Sequence, residues 1–211
     1  MRFVTAAILA AAIVLPASAA TVSVRVQDAR GAVVEDAVVY AVPEGRQLPL
    51  ARKTAVMDQK NRTFIPHVLA VQTGTSVRFP NSDDVRHHVY SFSPAKSFQL
   101  PLYKGTTAKP VLFHRAGLVT VGCNIHDQMS AYIVVVETPY FEKTGADGRA
   151  TLEAVSSGRY SVRVWYPSMR EEPRPETITV TGDERVQVTF VAGRAAAAGP
   201  GGAAIHAHAR P

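Results

Sequence analysis

The chain has 211 residues, 46% of them hydrophobic and 19% charged, with a formal net charge of +6 and one cysteine. A single cysteine excludes an internal disulfide framework. The 23 Lys and Arg residues are scattered rather than clustered among stacking aromatics, so the basic balance carries no nucleic-acid signature. This length holds one large or two small domains with real cores, and the patterning favours two.

At the start, Met1-Arg2-Phe3 leads into an apolar run through Leu15, followed by Pro16 and Ala17-Ser18-Ala19. A basic start, a hydrophobic middle and a small-residue site are the parts of a secretory signal. Residues 1–19 are therefore expected to be a signal peptide, cut after Ala19 or Ala20; an uncleaved anchor is the other reading of the same residues. No later segment reaches the roughly 20 apolar residues that crossing a bilayer needs. The expectation is an exported, periplasmic protein with no membrane span.

Beyond the leader, Val22, Val24 and Val26 alternate, Asp28-Ala29-Arg30-Gly31 turns, and Val34 to Tyr40 reads as a second strand. Leu69 and Val71, Val77 and Phe79, Val119 and Val121, and Tyr132 to Val136 repeat the habit, with Gly, Pro, Asn and Asp between them. That is strand-and-turn punctuation, and no amphipathic helix competes with it. After Pro139, Asp147-Gly148 is a tight-turn signal, and Tyr160, Val162 and Val164 face one way with Arg159, Ser161 and Arg163 opposite them. Thr177 to Val180 and Val186 to Phe190 close the set. Residues 193–211, rich in Ala and Gly with His206 and His208, offer nothing to pack and read as a disordered tail.

Within this β-patterned chain, Cys123-Asn124-Ile125-His126-Asp127-Gln128-Met129 places a thiol, an imidazole and a thioether on one short loop. A second imidazole is available upstream at His87 or His88. Two nitrogens, a thiolate and a weak thioether are the donor set of a blue-copper site. A free thiol in an oxidising compartment needs burial or a metal. Burial alone, as a small hydrophobe, is the plain alternative for Cys123. A Cys–His nucleophile is another, but Met129 has no role in that chemistry. His67 and His114 lack partner spacing and read as solvent-facing, while Asp83 and Asp84 read as turn formers after Asn81.

Phe64-Ile65-Pro66, Gly74-x2-Val77-x-Phe79-x-Asn81, His87-x-Val89 and Cys123-x2-His126-x2-Met129 fall in the order and spacing of small blue copper proteins. Over residues 52–136 the chain resembles a cupredoxin, with a ligand loop similar to that of amicyanin. It is also similar to exported plastocyanin-like proteins labelled methylamine utilisation proteins, a label that fixes no pathway here. The resemblance implies one mononuclear type 1 copper, with His87, Cys123 and His126 as trigonal ligands and Met129 as the axial one; His88 as first ligand is the rival assignment. His88 stands where the family has Asn, so its side chain is expected to bond Asn124. Ile125 stands where amicyanin-like loops carry Pro, and its restored N–H is expected to reach the thiolate.

The flanks resemble a carboxypeptidase-regulatory-like, transthyretin-like sandwich. Val22-x-Val24-x-Val26-x-Asp28-x2-Gly31 and Ala37-x-Val39 match its opening hairpin, and Asp147-Gly148 with Gly158-x-Tyr160-x-Val162-x-Val164 matches its late strands. The expected fold is all-β: a cupredoxin Greek-key β-sandwich at 52–136, plus a second small transthyretin-like sandwich split into early strands at 20–51 and late strands at 137–192. The simpler alternative adds Thr21 to Tyr40 to the copper sandwich. The expected function is single-electron transfer, without enzymatic chemistry, by a monomer that docks a redox partner such as a cytochrome or dehydrogenase. A copper delivery or sensing module, and a structural sandwich with an incidental loop, are the competing readings.

Overall fold

The computed structural model describes residues 19–50, 52–106, 109–169, 171–182 and 184–191. The expected signal peptide, apart from Ala19, and the expected tail with His206 and His208 lie outside them. Seventeen strands and no helix make up the described residues, and none of them forms a helix long and apolar enough to cross a membrane. In chain order they are β1 (Ala19–Gln27), β2 (Val38–Pro43), β3 (Thr54–Val56), β4 (Asp58–Lys60), β5 (Thr63–Ile65), β6 (Val68–Gln72), β7 (Thr75–Arg78), β8 (His87–Ser93) and β9 (Lys96–Tyr103). There follow β10 (Val111–Phe113), β11 (Gly117–Cys123), β12 (Ser130–Val136), β13 (Phe141–Lys143), β14 (Arg149–Ser156), β15 (Gly158–Trp165), β16 (Glu176–Val180) and β17 (Arg185–Val191).

Strand β1 lies between β14 and β17, and β2 lies between β13 and β15, with β16 beyond β15. Ala20, Val22, Val24 and Val26 on β1 are all buried, as period-two alternation requires of a strand with one face on a core. They pack with Leu152, Tyr160, Val162 and Phe190. Strand β2 begins at Val38 rather than at Val34. Asp36 takes a φ of 57°, which an extended strand cannot contain, and its N–H bonds the Thr144 carbonyl instead.

A second core forms between the β10-β7-β3 sheet and the five-stranded β6-β12-β11-β8-β9 sheet. It gathers Met57, Phe64, Phe79, Val89, Phe113, Val121, Cys123, Met129 and Ile133. Strand β9, which the sequence patterning does not assign, is the outer strand of the five; there Pro101 costs no ladder bond that matters. Strand β12 is apolar on both faces. Ala131, Ile133 and Val135 enter this core, while Val134 and Val136 join Val38, Val68 and Trp165 in a third cluster between the two sheet systems. The Tyr132 and Trp165 rings meet there at 5.2 Å.

Candidate metal centre

Three strands deliver the site. β8 and β11 run antiparallel with Cys123 opposite Val89 and Gly122 opposite Tyr90. Glycine suits position 122 in this pairing, because a Cβ there would crowd the outer part of the Tyr90 ring at 3.1 Å. The loop after Cys123 then closes on itself: the Cys123 N–H donates to the Met129 carbonyl at 3.1 Å, and the Met129 N–H donates to the His126 carbonyl at 2.9 Å. Strand β12 departs directly from that closure, so both ends of the loop are anchored in one sheet.

The phase of β8 separates the two upstream histidines. His87, Val89 and Ser91 turn into the core, and His87 is fully buried. Its Nδ1 lies 3.1 Å from the His126 Nδ1, and the Cys123 Sγ lies 3.6 Å from each of these nitrogens. Cys123 is a free thiol, 3% exposed, and His126 is half-buried. Met129, 2% exposed, packs in the same core cluster as Cys123. His88, His67 and His114 stand outside the donor group.

These separations test whether a metal fits. A point equidistant from three atoms so spaced lies about 2.0 Å from each, the length of a nitrogen–metal bond and slightly short of a thiolate–metal bond. Two imidazoles with a soft thiol and a neighbouring soft thioether make a donor set suited to copper. The residues fit the group.

Behind His87 lies a carboxylate that the sequence reading takes for a turn former. His87 Nε2 lies 3.0 Å from Asp83 Oδ2, with the imidazole side chain fully buried and the carboxylate 10% exposed. The same Oδ2 accepts the Arg62 N–H at 2.7 Å, from the turn between β4 and β5. That main-chain bond, followed by the contact with His87, holds the Asp83 carboxyl well below its usual range, at about 2. Asn81, 4% exposed, braces the loop from inside: its Nδ2 donates to the carbonyls of Val85 and Tyr103, and its Oδ1 accepts the Asp83 N–H.

Two finer expectations are corrected. Asn124 is tied to His88 by its N–H donating to the His88 carbonyl at 3.1 Å, not by the imidazole. The antiparallel pairing of β8 and β11 simply runs one step past Cys123, and the His88 ring turns to the other face beside Tyr90, where its Nε2 is buried without a partner. The Ile125 N–H makes no hydrogen bond to Sγ among the described residues; the loop is closed by the Cys123 and Met129 N–H groups instead. Asp83 had a visible signal, a carboxylate four residues before His87, whereas the Arg62 donor is main-chain and leaves no mark in sequence.

No protein-family model matches the chain, and no curated protein matches it. Among solved structures, it is similar to a purple cupredoxin from Nitrosopumilus maritimus at 20% identity, covering 39% of this chain and 98% of that one, with a TM-score of 0.34. An amicyanin variant in its reduced state is similar at 23% identity, over 46% of this chain and 98% of that one, with a TM-score of 0.35. The structural neighbours are cupredoxins. A copper-containing nitrite reductase from Thermus scotoductus is also similar, at 23% identity over 47% of this chain and 25% of that one, with a TM-score of 0.37. The cupredoxin likeness accounts for less than half of the chain and leaves the sheets of β1, β2 and β13 to β17 unaddressed.

Proposed function

We propose that this protein is an exported, periplasmic carrier of single electrons, with one mononuclear type 1 copper held by His87, Cys123 and His126 and Met129 as weak axial ligand. The observation that carries the reading is the convergence of two Nδ1 atoms and one Sγ at 3.1 to 3.6 Å inside a β-sandwich. When bound, copper supplies a one-electron couple. The chain's part is to hold the donors still and keep water from them. His87 and Cys123 are sealed in the core, and the strand ends that carry them are paired.

His126 is the half-buried member, and Ile125 beside it is 50% exposed. That edge is where a redox protein, such as a cytochrome or dehydrogenase, would dock through a small transient interface. The carrier works as a monomer and transforms no substrate. In the same reading, residues 52–136 are a copper module inserted into a transthyretin-like sandwich formed by 20–51 and 137–192, and residues 1–19 are removed on export. The pairing of β1 with β14 and β17, and of β2 with β13 and β15, supports the insertion.

Copper titration of the metal-free protein tests the function. The expected result is one copper per chain, an intense visible thiolate-to-copper band, and repeated bleaching and recovery of that band by a reductant and an oxidant. Cys123→Ser should abolish the band. Copper bound without it would favour a delivery or sensing module, and no binding would leave a structural protein.

A further inference from the structure

We propose that Asp83 is a positioning residue of the metal centre, fixing which nitrogen of His87 faces the metal and placing one negative charge behind it; this rests on the copper reading above. A neutral imidazole has one N–H and one lone pair, and only the lone pair can bind a metal. In a fully buried ring nothing intrinsic decides between Nδ1 and Nε2 strongly enough to exclude the wrong form. An ionised carboxylate only accepts hydrogen bonds. At 3.0 Å from Nε2 it therefore draws the proton to that nitrogen and leaves the Nδ1 lone pair directed at His126 and Cys123.

The carboxylate is itself held by main chain. Oδ2 accepts the Arg62 N–H at 2.7 Å and Oδ1 accepts the Asp84 N–H at 3.2 Å. Asn61 and Arg62 have φ values of 54° and 57°, the left-handed pair that a two-residue hairpin turn requires. The β4–β5 hairpin, flanked by paired Lys60 and Thr63, thereby carries a fixed donor to Asp83 that no side-chain rotation can remove. His126 has no equivalent, for no carboxylate bonds it among the described residues. The two imidazoles are thus held unequally: His87 is locked and backed by an anion, and His126 is left to the loop.

Such a partner orients a ligand, raises its basicity and typically contributes about 10–100-fold in metal affinity. An anion behind the ligand also favours the more highly charged, oxidised metal. The test compares wild type with Asp83→Ala, Asp83→Asn and, as a control of equal charge change at an exposed neighbour, Asp84→Asn. Ring-nitrogen NMR of the metal-free protein should show His87 as a single Nε2–H form in wild type and in Asp84→Asn, and as a mixture in Asp83→Ala. With copper, Asp83→Ala should bind about 10–100-fold more weakly, and Asp83→Asn, which keeps the shape, should have a higher reduction potential than both wild type and Asp84→Asn. Proposal and data part company if His87 carries its proton on Nδ1 in wild type, if Asp83→Ala leaves the proton in place, or if both Asn variants shift the potential equally. Copper bound by wild type without a thiolate band would overturn the type 1 carrier reading instead, and the metal-free measurement would still decide whether Asp83 sets His87.

Discussion

Tyr103 lies opposite His87 across the β8–β9 pair and reaches into the core, where its hydroxyl accepts from Gln59 and donates to the Phe79 carbonyl at 2.6 Å. Burial, opposed by the Gln59 bond and reinforced by the negative charge of Asp58, pushes its phenol up to about 12. An unfolded chain would lose that proton near 10, so between about 10 and about 12 the folded state binds more protons than the unfolded one and stability falls as pH rises. Denaturant unfolding followed across that window should show the decline, and Tyr103→Phe should flatten it; an unchanged slope would refute the assignment. At this scale the nearness of Cys123 and His126 was legible, because their spacing within one loop needs no tertiary knowledge. His87 and His88 were not separable, since adjacent strand residues differ only in phase, and the burial of Val89 and Ser91 is what sets it. The turn bonding expected of Asp83 is present, its N–H donating to Asn81 Oδ1, but its further link to His87 and Arg62 was not legible, because the Arg62 donor arrives from a hairpin more than twenty residues upstream in the chain.

Short elements explain most of what patterning missed. Strands β3, β4, β5, β10 and β13 have three residues each, too few for any period to register, and they exist because a neighbouring strand supplies the ladder. The long alternating strands β1, β12 and β15 were readable, and so was the Asp147-Gly148 turn. Gly148 has a φ of +69°, and a Cβ on it would lie 2.8 Å from the Val26 carbonyl oxygen, which is backbone and cannot step aside. Gly148→Ala should therefore destabilise by about 1–2 kcal/mol from the left-handed conformation alone, with the clash added. Urea unfolding measures it, and a loss under about 0.5 kcal/mol, the range of an ordinary surface change, would contradict the argument. Gly122 is a milder case, because its obstacle is the outer part of the Tyr90 ring, which can tilt.

For the whole molecule, the seam between the two sheet systems matters most. Strand β12 carries the departing end of the metal loop on one side and packs Val134, Val136 and Tyr132 against Trp165 on the other. Nothing in a single sequence announces that an apolar run faces two cores, yet this is what joins the donor loop to strands from the far ends of the chain. Trp165 is 9% exposed, and truncating a buried tryptophan costs about 3–5 kcal/mol. In wild type the fluorescence of this one tryptophan and the thiolate-to-copper band should be lost in a single denaturant transition. A wild-type protein that loses them in separate steps would show that the seam does not couple the two cores. In Trp165→Ala the band should vanish at markedly lower denaturant, and an unshifted midpoint would likewise mean that the cores are uncoupled. Coupling of this kind gives the Cys123–Met129 loop a rigid base, as the proposed carrier would need to exchange electrons without rearrangement.

The most direct test of a thiolate-ligated mononuclear copper is the electron spin resonance spectrum of the copper-loaded protein. Sulfur covalency at Cys123 predicts one copper species with narrow hyperfine splitting, replaced by a wide splitting in Cys123→Ser. A wide, tetragonal pattern in the unaltered protein would contradict the account.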